Sequence, residues 1–340
     1  MWIKARGRGL RTPFIGFPLD KSVQKFLRWV SLLGGPFANR LLARSRFVEK
    51  HGRRPLPTSS PRAVFEDYIF ARMTGPWTPF EEQCVDKESA KEIAARLSPG
   101  LKSAPTRSVL PLGPGAALER VGRFLHPFIG QNLVAKPTHA SGGIVFLGLP
   151  DPGTIARQTF RMFRLAGRNF FLQEYESQYR RLAPKIIVEE CLSSGPASLK
   201  NGEVCQPPAD YRFYSSRGRV LFCQYDEGRF TDHRQALFTV PGYRHISIAD
   251  IYPLPNPLPE RPAHWDGMVQ AASDLSRPFY FVRVDLYDLP DGVYFSEFTF
   301  TPNAGLFPFR NPGFSRKLLE DVLRAPPGEG DDAPNDKDGS

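Results

Sequence analysis

A chain of 340 residues, 41% of them hydrophobic, is long enough to bury a full core and to fold as two or three lobes. Its net charge of +10 is concentrated: residues 1–60 hold thirteen Lys/Arg against Asp20 and Glu49, a net of +11, so the remainder is close to neutral and no nucleic-acid partner is expected. No apolar run approaches the roughly 18 residues of a membrane span, and no apolar leader with a small-residue cleavage site opens the chain, so a cytoplasmic protein is expected.

Within the basic segment, Leu19, Val23, Phe26, Leu27, Val30 and Leu33 recur at helical spacing, with Lys21, Lys25 and Arg28 on other faces and Gly34-Gly35-Pro36 ending the run. Such a helix can dock on the protein body, lie on an anionic membrane surface or bind a polyanion. Residues 84–97 (CVDKESAKEIAARL) read as one helix with Asp86 as N-cap and Lys87 in its first turn. A lysine there can reach an anion that the helix N-terminus also favours, or can simply be solvated.

Residues 132–149 (NLVAKPTHASGGIVFLGL) predict a strand carrying Lys136, a flexible turn with His139, Ser141, Gly142 and Gly143, and a second strand. Paired glycines let the backbone approach phosphates while the lysine supplies a point charge. Neither a Walker A nor a Rossmann glycine pattern is present, and an ordinary hairpin with a loop histidine fits the same residues. Residues 184–192 (PKIIVEECL) predict a buried strand ending at Glu189-Glu190, two acids that could bind an adenine amino group or a ribose, or mark an exit into solvent. Residues 210–215 and 218–225 alternate cleanly about Arg217-Gly218, a hairpin that puts Asp210 and Arg212 on one face, as a mutual ion pair or as ligand contacts.

Proline, at 34 residues, is about twice its usual share of roughly 5%, and residues 252–262 (YPLPNPLPERP) form a proline-rich loop, either a rigid connection or a substrate lid. Cys84, Cys191, Cys205 and Cys223 are scattered without a CxxC pair and read as reduced thiols. Residues 325–340 have no aliphatic anchor beyond alanine and are expected to be disordered.

The richest stretch is residues 282–305 (VRVDLYDLPDGVYFSEFTFTPNAG). Two β-rich runs flank a Pro290-Asp291-Gly292 turn, so a hairpin is expected. Alternation puts Arg283, Asp285 and Tyr287 on one face, and Phe295, Glu297 and Thr299 on one face of the partner strand. If register brings Asp285 and Glu297 together, two hard oxygen ligands converge beside a fixed positive charge, which suits Mg²⁺ bound with nucleotide phosphates. Surface charges on an antiparallel hairpin are the plain alternative.

The order of these pieces resembles the ATP-grasp superfamily, and within it the TupA-like ATP-grasp proteins of bacterial cell-surface polysaccharide loci. The residues that carry the resemblance are Asp86-Lys87, Ala135-Lys136-Pro137 with His139 and Ser141-Gly142-Gly143, the run from Pro184-Lys185 to Glu190, Asp210-Tyr211-Arg212, Arg283-Val284-Asp285 and Ser296-Glu297-Phe298-Thr299. It covers roughly residues 62–315. The resemblance implies an α+β ATP-grasp fold with ATP between two antiparallel β-sheets and a basic helical N-terminal extension. It implies lobes at 1–60 (basic, helical), 61–130 (preceding the ATP-grasp body), 131–192 (central, with the Gly-rich loop) and 193–324 (C-terminal, with the metal hairpin), then the tail at 325–340.

By the same resemblance the cofactors are ATP and Mg²⁺. Lys87 and Lys136 would contact the phosphates, His139, Ser141, Gly142 and Gly143 would belong to the loop over them, and Glu189, Glu190 and Leu192 would line the adenine hinge. Asp210 and Arg212 would lie by the ribose, Arg283 with Lys136 would act on the transferred phosphoryl group, and Asp285, Glu297 and Thr299 would hold Mg²⁺. Many ATP-grasp enzymes have asparagine where this chain has Thr299. The implied activity is a carboxylate–amine ligase working through an acyl phosphate, its partners a glycan or amino-acid carboxylate and an amine, with peripheral inner-membrane contact through the basic helix. Alternatives are a non-catalytic nucleotide- or glycan-binding module and a glycosyltransferase, against which no DxD motif outside the tail is found. A kinase-like phosphotransferase lacks its HRD-type loop.

Overall fold

The computed structural model describes residues 36–113, 115–149, 151–167, 170–193, 207–229, 231–247 and 252–324. The expected helix at 19–33, the tail at 325–340 and Cys205 lie outside the described residues.

The chain opens on α1 (Pro36–His51) and α2 (Phe65–Thr74), then α3 (Pro79–Val85), which starts at a capping box in which Thr78 and Glu81 satisfy each other's backbone donors. The single helix expected over 84–97 is broken. Residues 86–88 form a turn and α4 (Ser89–Leu97) follows, because the Asp86 carboxylate takes the Glu88 and Ser89 N–H groups at 3.0 and 3.3 Å. The N-cap position is therefore Glu88, whose side chain makes no capping bond, and Asp86, expected there, instead takes two N–H groups from two residues earlier, leaving Lys87 in the break.

Next come β1 (Lys102–Ser103), β2 (Thr106–Pro111), α5 (Leu118–Leu125), β3 (Leu133–Pro137), β4 (Val145–Phe146), α6 (Pro152–Ala166) and α7 (Phe170–Glu174). Then β5 (Lys185–Glu190), β6 (Asp210–Ser216), β7 (Arg219–Glu227), β8 (Arg234–Thr239), α8 (Trp265–Ser276), β9 (Val282–Leu289), β10 (Gly292–Thr299) and α9 (Pro312–Leu323) complete the order.

Two sheets result. The smaller, β2-β5-β3-β4, is antiparallel throughout, and the larger runs β1-β10-β9-β6-β7-β8. The larger departs from the all-antiparallel expectation only at the two-residue β1, which pairs parallel with β10. Strand β2 joins β5 in the small sheet, so that sheet draws an edge strand from before residue 131.

Each sheet has one apolar face and an opposite face that is polar where it meets the other sheet. At the far end of the large sheet that opposite face turns apolar, with Tyr214, Phe222 and Leu237 packed on Phe65, Ile69, Leu318 and Val322. In the small sheet, Leu133, Ala135, Ile186 and Val188 pack under α5 and α6 with Val121, Leu125, Ile155 and Met162. In the large sheet, Phe213, Cys223, Val284 and Leu286 pack under α4 and α8 with Ile93, Trp265 and Met268. Each fully buried Val, Leu, Ile or Phe stabilises by roughly 1.5–3 kcal/mol relative to exposure. With a side-chain period of two, the alternate residues of the same strands must point the other way. These include Lys136 and Glu189 on one sheet, and Asp210, Arg212, Asp226, Arg283 and Asp285 on the other.

Both hairpins form as expected. Arg217 and Gly218 make the first turn with positive φ of 48° and 80°. In the second, Asp285 lies opposite Glu297 and Arg283 opposite Thr299. A bulge between Phe295 and Glu297 corrects the simple alternation. It absorbs Ser296 as an extra residue, so Phe295 and Phe298 both join the core while Glu297 still meets Asp285. The proline-rich loop at 252–262 is tied to β8, with Gln235 N–H donating to Pro253 O at 2.9 Å and the Arg234 guanidinium to Leu254 O at 3.0 Å. Among the cysteines, Cys84 and Cys223 are free and buried, whereas Cys191 is disulfide-bonded, which corrects the reading of four reduced thiols.

Candidate active site

The polar faces of the two sheets enclose a cavity of about 470 Å³. The small sheet contributes Val134, Lys136, Phe146 and Glu189, the large sheet contributes Asp210, Asp226, Tyr287 and Ser296, and the segment 190–192 closes one end. An apolar wall with a few convergent charges is what a nucleotide base and its phosphates require.

Glu189 organises the small-sheet side. It is 3% exposed, forms a short ion pair with Lys136, and accepts from the Lys91 ammonium at 2.7 Å. Burial would lift its carboxyl, but Lys136 and Lys91 together outweigh that and hold it below its ordinary value. Burial likewise pulls the Lys91 ammonium down. Glu189 thus contacts two lysines, while Glu190, next along, pairs with Arg107 at the rim, and Leu192 lies on the cavity wall. Lys91 was not legible in the sequence. It falls one turn beyond Lys87, and only the break at 86–88 shows that α4 carries it to the cavity.

Lys87 is half-buried in that break, its ammonium donating to Ala140 O at 2.7 Å and lying 3.9 Å from Glu297 Oε2. Its backbone N–H meets Thr138 O at 3.2 Å, and the Asp86 carboxylate receives Thr138 Oγ1 at 2.8 Å. These bonds fasten the helix break to the turn that follows Lys136. In that turn Gly142 and Gly143 have φ of 80° and 71°, and a Cβ on Gly143 would stand 2.9 Å from Leu165 Cδ2. Ser141 is exposed at the crest of the turn. His139 is placed apart from the cavity. It is 3% exposed, with Nε2 against Ala166 O at 3.1 Å and Nδ1 accepting the Lys185 N–H at 3.4 Å. Its ring supports the turn.

On the large sheet the charges form a continuous buried chain. Arg283 donates to both oxygens of Asp285, each at 2.7 Å, and to Thr299 Oγ1 at 3.1 Å. Arg212 lies among three aspartates, 3.1 Å from Asp226, and 3.5 Å from each of Asp210 and Asp285. It is therefore occupied by protein carboxylates and positions Asp210 and Asp285. Arg229, in the turn after β7, pairs with Asp210 at 3.1 Å and lines the cavity. Sequence reasoning missed it too, since it lies in the turn beyond the β6–β7 hairpin and only the sheet order sets that hairpin beside β9.

Glu297 faces this group, 3.8 Å from Arg283. Burial opposes its ionisation, yet Lys87, Arg283, Arg229 and Arg212 hold its carboxyl at about 2. Burial pushes Asp285 the other way, up to about 6, against the pull of Arg283 and Arg212. Among the described residues no group of three or more His, Cys, Asp or Glu side chains could hold a metal alone. Two carboxylates and a hydroxyl, ringed by four cations, instead fit a hard cation that arrives with phosphate oxygens supplying the remaining ligands. The donor set suits Mg²⁺ under that condition.

A family model described as TupA-like ATPgrasp matches residues 78–323. No curated protein sequence matches. Among solved structures, the chain is similar to VanG D-Ala:D-Ser ligase from Enterococcus faecalis, at 13% identity and a TM-score of 0.42 over 71% of this chain and 61% of that one. It is similar to D-alanine–D-alanine ligase from Helicobacter pylori at 12% identity and a TM-score of 0.39, over 72% and 61%. L-amino acid ligase from Bacillus licheniformis follows at 14% identity and 0.36, over 88% and 58%. The chain thus spans about three fifths of the length of each.

Proposed function

The chain belongs to the TupA-like ATP-grasp family, and from that premise we propose that it is an ATP- and Mg²⁺-dependent carboxylate–amine ligase. The observation that carries this reading is the meeting of Asp285 and Glu297 across the β9–β10 register, beside Arg283 and Lys87, next to a cavity between two sheets.

The residues divide the work as follows. The base lies by Glu190 and Leu192 against Val134 and Phe146, the ribose by Asp210 and Arg229, and the phosphates run past Lys136 and Lys91 toward Lys87 and Arg283. Asp285 and Glu297, with the Thr299 hydroxyl, would hold Mg²⁺, which would supply charge neutralisation for the phosphates.

An acceptor carboxylate oxygen attacks the γ-phosphorus, the bond from that phosphorus to the β–γ bridging oxygen breaks, and ADP leaves with its electron pair. An amine nitrogen then attacks the carbonyl carbon of the acyl phosphate. The carbon–oxygen bond to phosphate breaks, inorganic phosphate departs, and the nitrogen gives up a proton to leave an amide. Arg283 and Lys87 act by position and charge, countering the negative charge that moves along this line. Arg212 and Glu189 hold the metal-side aspartate and the lysines in place.

The acceptor is a glycan uronic acid or an amino-acid carboxyl in bacterial cell-surface polysaccharide biosynthesis. That setting rests on the family resemblance, and peripheral inner-membrane contact on the basic N-terminal segment. No described helix is long and apolar enough to cross a membrane. The test is incubation with Mg·ATP, hydroxylamine and a panel of uronic-acid glycans and amino acids. The reading requires ADP, phosphate and a hydroxamate in matched amounts from at least one acceptor. AMP with pyrophosphate, or ADP without hydroxamate across the panel, would overturn it.

A further inference from the structure

The helices behind the small sheet carry an unusual surface. From Leu118 to Gly167, which spans both helices, the sequence holds six Lys/Arg and two acids, Glu119 and Asp151. Yet the chain beyond residue 60 is close to neutral, so this charge is gathered on one lobe and balanced elsewhere. Helices α5 and α6 bury Val121, Leu125, Ile155 and Met162 in one core under the sheet. Their outward faces must then carry the residues half a helical turn away. Those are Arg120 and Arg123 on α5 and Arg157, Phe160, Arg161 and Arg164 on α6, all exposed.

Only Arg157 is tied, to Asp151 at 3.3 Å; Arg120, Arg123, Arg161 and Arg164 make no ion pair among the described residues. Beside the arginines of α6 one large apolar side chain stands in water, Phe160 at 47% exposure, with the Arg164 guanidinium 5.8 Å from its ring centroid.

We propose that this α5–α6 face docks on the headgroups of an anionic phospholipid bilayer. Arginines near such a surface are attracted to its negative potential. Their long stems reach across the interface, and an aromatic ring beside them enters the boundary between headgroup and acyl chain. The exposed Phe160 distinguishes the face from a duplex-binding site, where phosphate contact needs cations but gains nothing from an apolar side chain beside them. The surface lies behind the sheet face that lines the cavity, so the inference stands apart from the ligase reading.

The experiment is co-sedimentation of the full chain with phosphatidylcholine vesicles, with and without about a quarter phosphatidylglycerol. Wild type partitions onto the anionic vesicles and is released by salt, as screening requires. R120E/R123E/R161E/R164E loses partition by at least about tenfold. R62E/R96E/R310E/R316E, an equal charge reversal at exposed positions outside this face, keeps it within about threefold. F160S, which alters no charge, also weakens partition. Equal retention by the α5–α6 variant would overturn the proposal and leave the basic segment at 1–60 as the carrier. So would equal losses in both charge variants, or vesicle binding untouched by the apolar variant. Arginine-dependent binding of duplex DNA by a wild type that ignores vesicles would replace the bilayer with nucleic acid.

Discussion

Arg283 grips Asp285, two residues away on the same strand, through both carboxylate oxygens at 2.7 Å, and both side chains are almost fully buried. A buried fork of this kind gains its Coulomb energy only while both partners are present. Arg283→Met leaves Asp285 leaning on Arg212 alone, and Asp285→Leu leaves a buried guanidinium with Thr299 and Glu297. Either single change is expected to cost about 3–5 kcal/mol in urea unfolding, whereas Arg283→Met/Asp285→Leu together cost clearly less than the sum. Strict additivity would show that the fork does not exist in solution.

The triangle of Lys136, Glu189 and Lys91 makes a second prediction. Because one buried carboxylate holds two ammonium groups, Lys136→Met and Glu189→Gln should be coupled, with an interaction of roughly 0.5–3 kcal/mol in a double-mutant cycle on stability. Lys91→Met should weaken Mg·ATP binding as well as stability if the lysine serves the cavity it lines. A pure loss of stability with unchanged affinity would confine Lys91 to scaffolding.

Gly142 and Gly143 separate backbone conformation from close packing. A Cβ at Gly142 meets nothing within 4 Å, so Gly142→Ala pays only for its left-handed φ, roughly 1–2 kcal/mol. At Gly143 the Cβ would also press on Leu165 and Pro137, at 2.9 and 3.4 Å. Gly143→Ala is therefore expected to be the more destabilising of the two by thermal melting, and equal melting points would contradict the packing described here.

Glu176 lies beyond the hairpin, 8% exposed, hydrogen-bonded to Thr301 Oγ1 and to Gln178 Nε2 at 3.1 Å. Burial lifts its carboxyl to about 7, against the pull of those two hydrogen bonds. The folded state then holds a proton that the unfolded chain, with an ordinary glutamate near 4.5, has released, so stability falls as pH rises from about 4.5 to about 7. The loss is roughly 3 kcal/mol at most. Glu176→Gln should flatten that part of the profile and melt higher than wild type at pH 8. An unchanged pH dependence would place the titration elsewhere.

How far the site was readable in the sequence depended on range. The β9–β10 hairpin was legible because a Pro-Asp-Gly turn fixes register locally, and its bulge at Ser296 was not, because it answers to core packing of Phe295 and Phe298. Lys136 stood out through the glycine pair that follows its strand, and Asp210 through strand alternation. The break at 86–88 escaped because the Asp86 carboxylate is also held by Thr138 and Lys185, partners about fifty and a hundred residues away. Arg229 and Lys91 carry no local pattern at all. Their roles exist only once the sheet order and the helix break bring them to the cavity, and the same long-range pairing turned Arg212 from a ligand contact into a support for three aspartates.

The central claim is that Asp285 and Glu297 form the metal side of a nucleotide site. Isothermal titration of Mg·ATP, without any acceptor, into wild type and into Asp285→Asn/Glu297→Gln addresses it directly, with circular dichroism to show that the variant is folded. Saturable binding that needs Mg²⁺ and is lost in the folded variant is the predicted result. Absence of binding to wild type, or binding that ignores both the metal and the two substitutions, would contradict it.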